Sequence, residues 1–87
     1  MPQAALNPAF LRRTDEVGLS ARSAECLTGA GILYVGALVQ MSEIELVRVP
    51  HVGRNTLHEI RTMLAGLGLH LGMEVLNWPP ASIERGR

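Results

Sequence analysis

Lysine is absent from the sequence. The eight basic residues are all arginine and are matched by eight Asp and Glu, so the formal charge is zero with histidine neutral. That balance argues against a general nucleic-acid coat protein, whose affinity comes from many phosphate contacts. It leaves room for a small local basic site, and arginine suits bidentate phosphate contacts. A single cysteine excludes an internal disulfide and fits a reduced setting. With one Phe, one Tyr and one Trp, the core must be aliphatic. No apolar run approaches the ~20 residues needed to span a bilayer. The opening "MPQAALNPAFLRR" lacks the apolar run behind a basic start that marks a signal peptide. These absences read as a soluble, cytoplasmic protein with no membrane partner.

What is present suffices for one small domain: 87 residues, 47% of them hydrophobic. Residues 1–13 read as a flexible lead, broken by Pro2 and Pro8, with Phe10 and Leu11 able to dock on the domain. The domain itself is expected over 14–82, followed by a flexible tail at 83–87. After an acidic, turn-like "TDEVGLS", Ser20 is a good N-cap for a helix over "ARSAECLTGAG". Ala24, Leu27 and Ala30 are its expected inner face, while Arg22, Glu25 and Cys26 share another. Gly29 and Gly31 bracket its end.

"ILYVGALVQM" predicts a buried short helix over 35–40, although its β-branched residues also allow a strand. Ser42 caps a further helix in "EIELVRV", with Glu43 and Glu45 in the first turn where the macrodipole favours acids; Pro50 stops it. A longer helix runs from Arg54 or Asn55 to Leu67. Its apolar stripe is Leu57, Ile60, Leu64 and Leu67, with His58, Arg61 and Thr62 facing outward. Trp78 is expected against the body, and Pro79-Pro80 to fix an extended exit. The fold class is all-α: a compact bundle of four to five short helices with tight turns.

The stretch "VPHVGRNTLHEIRTML" enters this last helix through Gly53-Arg54-Asn55-Thr56. A helix start offers unpaired amides and partial positive charge. Gly53 leaves the backbone bare, Arg54 adds a full charge, and Asn55 and Thr56 donate hydrogen bonds, which together suit a phosphate. Capping alone also explains small polar residues at a helix start. Arg22 joins this seat if the two helix starts converge; otherwise it pairs with Glu25 or Asp15.

Other chemistry is poorly supplied. His51 and His58 stand seven apart, not one helical turn, and no second Cys completes a metal set. Cys26 has no acid–base partners around it. Met41, Met63 and Met73 read as core filler. "GLGLHLGM" does not follow a strand and open a helix, as a nucleotide loop would. No enzyme activity, cofactor, metal or small-molecule substrate is expected.

"LSARSAECL", "YVGALVQMSEIELVRVPHVGRNTLHEIRTMLAGLGLHLGM" and "NWPP" resemble the C-terminal domain of the bacterial RNA polymerase alpha subunit. The resemblance spans about residues 8 to 82, and its elements keep their order and spacing. "GLHLGMEV" is most similar to alphaproteobacterial versions, and the natural-looking start reads as a free-standing, diverged paralogue. The resemblance implies a helical fold with helix-hairpin-helix-like elements and binding of A·T-rich upstream promoter DNA across the minor groove. It places the DNA-binding positions at Arg22, Glu25, Cys26, Gly53, Arg54, Asn55, Thr56 and Glu59. More loosely, it implies sigma-factor contact at Asp15 and Glu16, and activator contact at Ser42, Glu43, Ile44 and Glu45.

The match has departures. Glu25 stands where the family usually has Asn, Asn55 where it usually has Lys, Gly18 where an acid is usual, and Glu74 adds a further acid. Fewer cations on phosphate mean weaker, less salt-dependent binding. Two readings therefore remain: a DNA-binding transcription module, or a protein-interaction module of the same fold with weakened or lost DNA binding. Its partners would be A·T-rich duplex, or sigma factor, activators and polymerase.

Overall fold

The computed structural model describes residues 7–76 and 78–80. Two short 3-10 turns, Pro8–Leu11 and Thr14–Glu16, precede four helices: α1 (Ala21–Gly29), α2 (Val35–Val39), α3 (Glu43–Val47) and α4 (Arg54–Gly66). No strand forms among the described residues; an isolated antiparallel bridge pairs Arg13 with Tyr34. The fold is all-α.

Each helix start follows from local chemistry. The Ser20 hydroxyl accepts the Ser23 amide at 3.3 Å and caps α1. At α3, Ser42 and Glu45 form a reciprocal capping box: Ser42 Oγ accepts the Glu45 amide at 3.1 Å, and Glu45 Oε1 accepts the Ser42 amide at 2.9 Å. The helix ends at Val47, three residues before Pro50. In α2, Val35, Leu38 and Val39 share one fully buried face at helical spacing, so burial decides for helix over strand. Leu27, Leu46, Ile60 and Leu64 complete the sealed centre.

Several expectations are corrected. Within the expected flexible lead, Pro8–Leu11 form a 3-10 turn: Phe10 is buried, docking as expected, whereas Leu11 is exposed, and Arg12 O accepts the Val35 amide at 2.9 Å. Thr14 is fully buried, its hydroxyl donating to Ile32 O at 2.8 Å and its amide to Leu33 O at 3.0 Å. Residues 12–14 are thus stitched along 32–35. Residues 1–6 and the expected tail lie outside the described residues. On α1, Ala30 is exposed as the C-cap, and Ser23, not Ala30, fills the inner face with Leu27. On α4, Ile60 and Leu64 are buried, whereas Leu57 and Leu67 are half-buried. The backbone bends at Pro79, and the expected exit beyond Pro80 lies outside the described residues. Trp78 does pack on the body, edge-on to Tyr34 with ring centroids 6.3 Å apart.

Candidate nucleic-acid interface

The starts of α1 and α4 lie side by side. Glu59, on the second turn of α4, accepts the Ser20 amide through Oε1 at 2.9 Å and the Ser20 hydroxyl through Oε2 at 3.1 Å. One layer deeper, the Ser23 hydroxyl meets the Thr56 hydroxyl at 3.4 Å. Ser23 is 1% exposed and Thr56 5%, so this polar contact is sealed into the helix junction. Beside it, Cys26 Sγ donates to His51 O at 3.5 Å and ties the turn before α4 to α1.

These contacts frame an open groove of about 560 Å³. Arg22 and Ser23 contribute from α1, His51 and Gly53 from the turn, and Arg54, Asn55, Thr56 and Glu59 from α4. Glu59 is held below the ordinary carboxylate range, first by the Ser20 amide and then by the Ser20 and Ser23 hydroxyls, with partial desolvation opposing. Its negative charge is thereby engaged by the protein's own donors.

Among the described residues the ion pairs are Arg13–Asp15 and Arg61–Glu43, both at 3.1 Å. Among the described residues neither Arg22 nor Arg54 forms an ion pair, so the alternative in which Arg22 pairs with Glu25 or Asp15 is not seen. Glu25 is exposed on α1 and does not line the groove; Cys26 reaches it only through the His51 carbonyl.

Gly53 has an extended φ of −107° as the N-cap of α4 and supplies no capping oxygen. A Cβ placed there would meet nothing within 4 Å. Neither backbone nor packing requires glycine at 53. Its consequence is to leave the first amides of a 13-residue helix bare.

Residues 3–66 match the family model for the C-terminal domain of the alpha chain of bacterial RNA polymerase. This protein belongs to that family. It is also similar to the C-terminal domain of the RNA polymerase alpha subunit from Helicobacter pylori, solved by NMR, with 29% identity and a TM-score of 0.64. That likeness covers 99% of this sequence and 83% of the other. The matched residues include α1 and α4 whole, and with them every residue of the groove.

On this alpha C-terminal domain the residues expected to meet proteins are partly engaged internally. Asp15 pairs with Arg13 through two contacts of 3.1 Å, which lower its carboxyl below the usual range. Arg13 in turn sits 6.0 Å from the Tyr34 ring centroid. Glu16 is exposed. Ser42 and Glu45 are occupied by the capping box and Glu43 by Arg61. Ile44 is left 65% exposed, with Val47 48% exposed one turn on.

Residue-by-residue reading misses Ser20, Ser23 and His51 as parts of this corner. Ser20 is legible only as a cap. The S-x-x-S spacing places a second hydroxyl one turn along, a signal for a polar helix junction. His51 carries no local signal beyond its place between Pro50 and the bare Gly53.

Proposed function

We propose that the domain is a DNA-binding transcription module that sits on A·T-rich duplex upstream of promoters. The observation that carries this is the groove in which Arg22 and Arg54, without an ion-pair partner among the described residues, flank the uncapped start of α4. Amides at Gly53, Arg54 and Asn55 face a phosphate, with the helix dipole behind them. Thr56 is buried, accepts the Ser23 hydroxyl at 3.4 Å, and shapes the seat from below. Phosphate contacts set the register, and Arg22 enters the minor groove. That groove is narrow over A·T tracts and carries enhanced negative potential, which rewards an inserted guanidinium. Glu59 acts at one remove, by holding the two helix starts together.

Protein contacts extend the proposal. The exposed Glu16 at the end of the second 3-10 turn faces a sigma factor, and the apolar Ile44 within the acidic α3 start faces activators or polymerase.

A second reading has specific support. Glu25 projects an exposed acid from α1, Asn55 brings no charge to the seat, and Ile44 and Val47 leave apolar surface uncovered. On that reading the domain binds proteins and holds DNA weakly. Titration with A·T-rich duplex at low salt separates the two. The DNA reading expects saturable binding, weakened about tenfold or more by Arg22→Ala. Binding that appears only after Glu25→Asn with Asn55→Lys supports the second.

A further inference from the structure

Among the described residues three polar side chains are buried: Thr14, Ser23 and Thr56. Thr14 serves the fold, since its hydroxyl donates to Ile32 O at 2.8 Å. Ser23 and Thr56 instead meet across the junction of α1 and α4, beneath the groove. A buried hydroxyl pair adds little net stability, because desolvation offsets most of what the hydrogen bond contributes. Two apolar groups of the same shape would hold the helices together about as well. What a polar contact adds is direction: it is satisfied in one register, whereas apolar surfaces tolerate slip.

Ser23 sits in the middle of this contact. Its Oγ stands 3.1 Å from Ser20 Oγ and 3.4 Å from Thr56 Oγ1, and its amide donates to Ser20 Oγ at 3.3 Å. Ser20 is itself held by Glu59 of α4. Two polar ties therefore join the start of α1 to α4, an outer one through Ser20 and Glu59 and an inner one through Ser23 and Thr56. A single tie lets α1 pivot on α4. The second lies three residues along the same helix face and removes that pivot. Arg22 stands between the two ties in sequence, so the direction of its side chain depends on both.

We infer that Ser23 is a positioning residue for the groove, whose buried hydroxyl holds α1 in the register that aims Arg22 across the start of α4. The inference rests on the DNA-binding reading and deepens it. Ser23 is 1% exposed, so it reaches no phosphate or base itself. It carries no charge either. Any effect it has on duplex binding must pass through the residues it places, and Arg22 is its immediate neighbour.

The test is a double-mutant cycle on the whole chain. Parent, Ser23→Ala, Arg22→Ala and the double variant are titrated with an A·T-rich double-stranded oligonucleotide over a series of low salt concentrations. Ser23→Ala should weaken binding by about three- to tenfold. Although it removes no charge, its salt slope should become shallower, toward that of Arg22→Ala, because a cation has left its contact. Arg22→Ala should then cost only about twofold in the Ser23→Ala background, against about tenfold or more in the parent. Arg61→Ala, on the far side of α4 where Arg61 pairs with Glu43, should have the same effect in both backgrounds. A merely structural role for Ser23 would lower the melting temperature and leave the cost of Arg22→Ala unchanged. Ser23→Ala with Thr56→Val separates the two further: with both hydroxyls replaced by apolar groups it should melt close to the parent, yet bind at least as weakly as Ser23→Ala. If Ser23→Ala alone does not fold, this pair takes its place in the cycle. If duplex binds and Arg22→Ala costs as much without the Ser23 hydroxyl as with it, this inference fails and the DNA-binding reading stands. If no duplex binds the parent, both fail.

Discussion

Glu59 holds Ser20 with both carboxylate oxygens, at 2.9 Å to its amide and 3.1 Å to its hydroxyl, across 39 residues of sequence. One acidic side chain thereby fixes the spacing of two helix starts that together line a groove for a polyanion. Removing it has opposite consequences for charge and for geometry, so the outcome separates them.

Glu59→Ala should weaken DNA binding although it removes a negative charge from the groove. The freed Ser20 and Ser23 lose their partner, and Arg22 is no longer held beside the Arg54 turn. A binding titration on folded variant checks this; tighter binding would mean that Glu59 acts through its charge and not through positioning.

Acid should unlock the same junction. Glu59 and Asp15 both have carboxyls held below their ordinary values in the folded protein, by Ser20 and by Arg13 respectively. Groups depressed in this way stabilise the fold above their unfolded range, about pH 4, and that stabilisation is lost as pH falls through the folded values. Thermal melts should therefore be level near neutrality and drop below about pH 4. Glu59→Gln should melt lower at neutral pH and show a smaller acid drop than the parent.

Gly53→Asp should raise stability and abolish binding together. The aspartate can cap α4, which glycine does not, a gain of roughly a few tenths of a kcal/mol. Its carboxylate would occupy the bare amides and repel phosphate, weakening duplex binding by about tenfold or more. Chemical denaturation and a titration on the same preparation test both halves. Unchanged affinity would show that the helix start is not the contact.

Gly36→Ala tests packing far from the groove. A Cβ at 36 would fall 2.5 Å from atoms of the Trp78 ring, closer than any real contact. The indole must shift, losing its edge contact with Tyr34. Overpacking of this kind costs about 1–3 kcal/mol. Urea unfolding should show that loss, with Trp78 fluorescence moving toward that of a solvated indole; DNA binding by the folded fraction should be unaffected.

What is legible in the sequence follows the range of the forces involved. Ser20, Ser42, Gly31 and the Ile60–Leu64 stripe mark helices because caps and periodicity act within a turn or two. The lead reads as flexible because the order at its end comes from a distant partner: Arg12 O accepts the Val35 amide, and no local pattern announces that. Val35–Val39 is ambiguous by propensity and is decided by burial on one face. At the groove, composition and spacing point to two separate helix starts, and only the family resemblance joins them. The Ser20–Glu59 link spans too much sequence to be read locally. The left-handed backbone of His51, at φ +71°, has no signature in residue type.

Receipt of duplex DNA at the corner where α1 and α4 begin is tested most directly by chemical-shift mapping. The labelled protein is titrated with A·T-rich duplex at low salt. Binding at this corner predicts saturable shifts concentrated in residues 20–26 and 51–59 that vanish in Arg22→Ala. Shifts absent from both segments, or confined to α3 around Ile44, would contradict it.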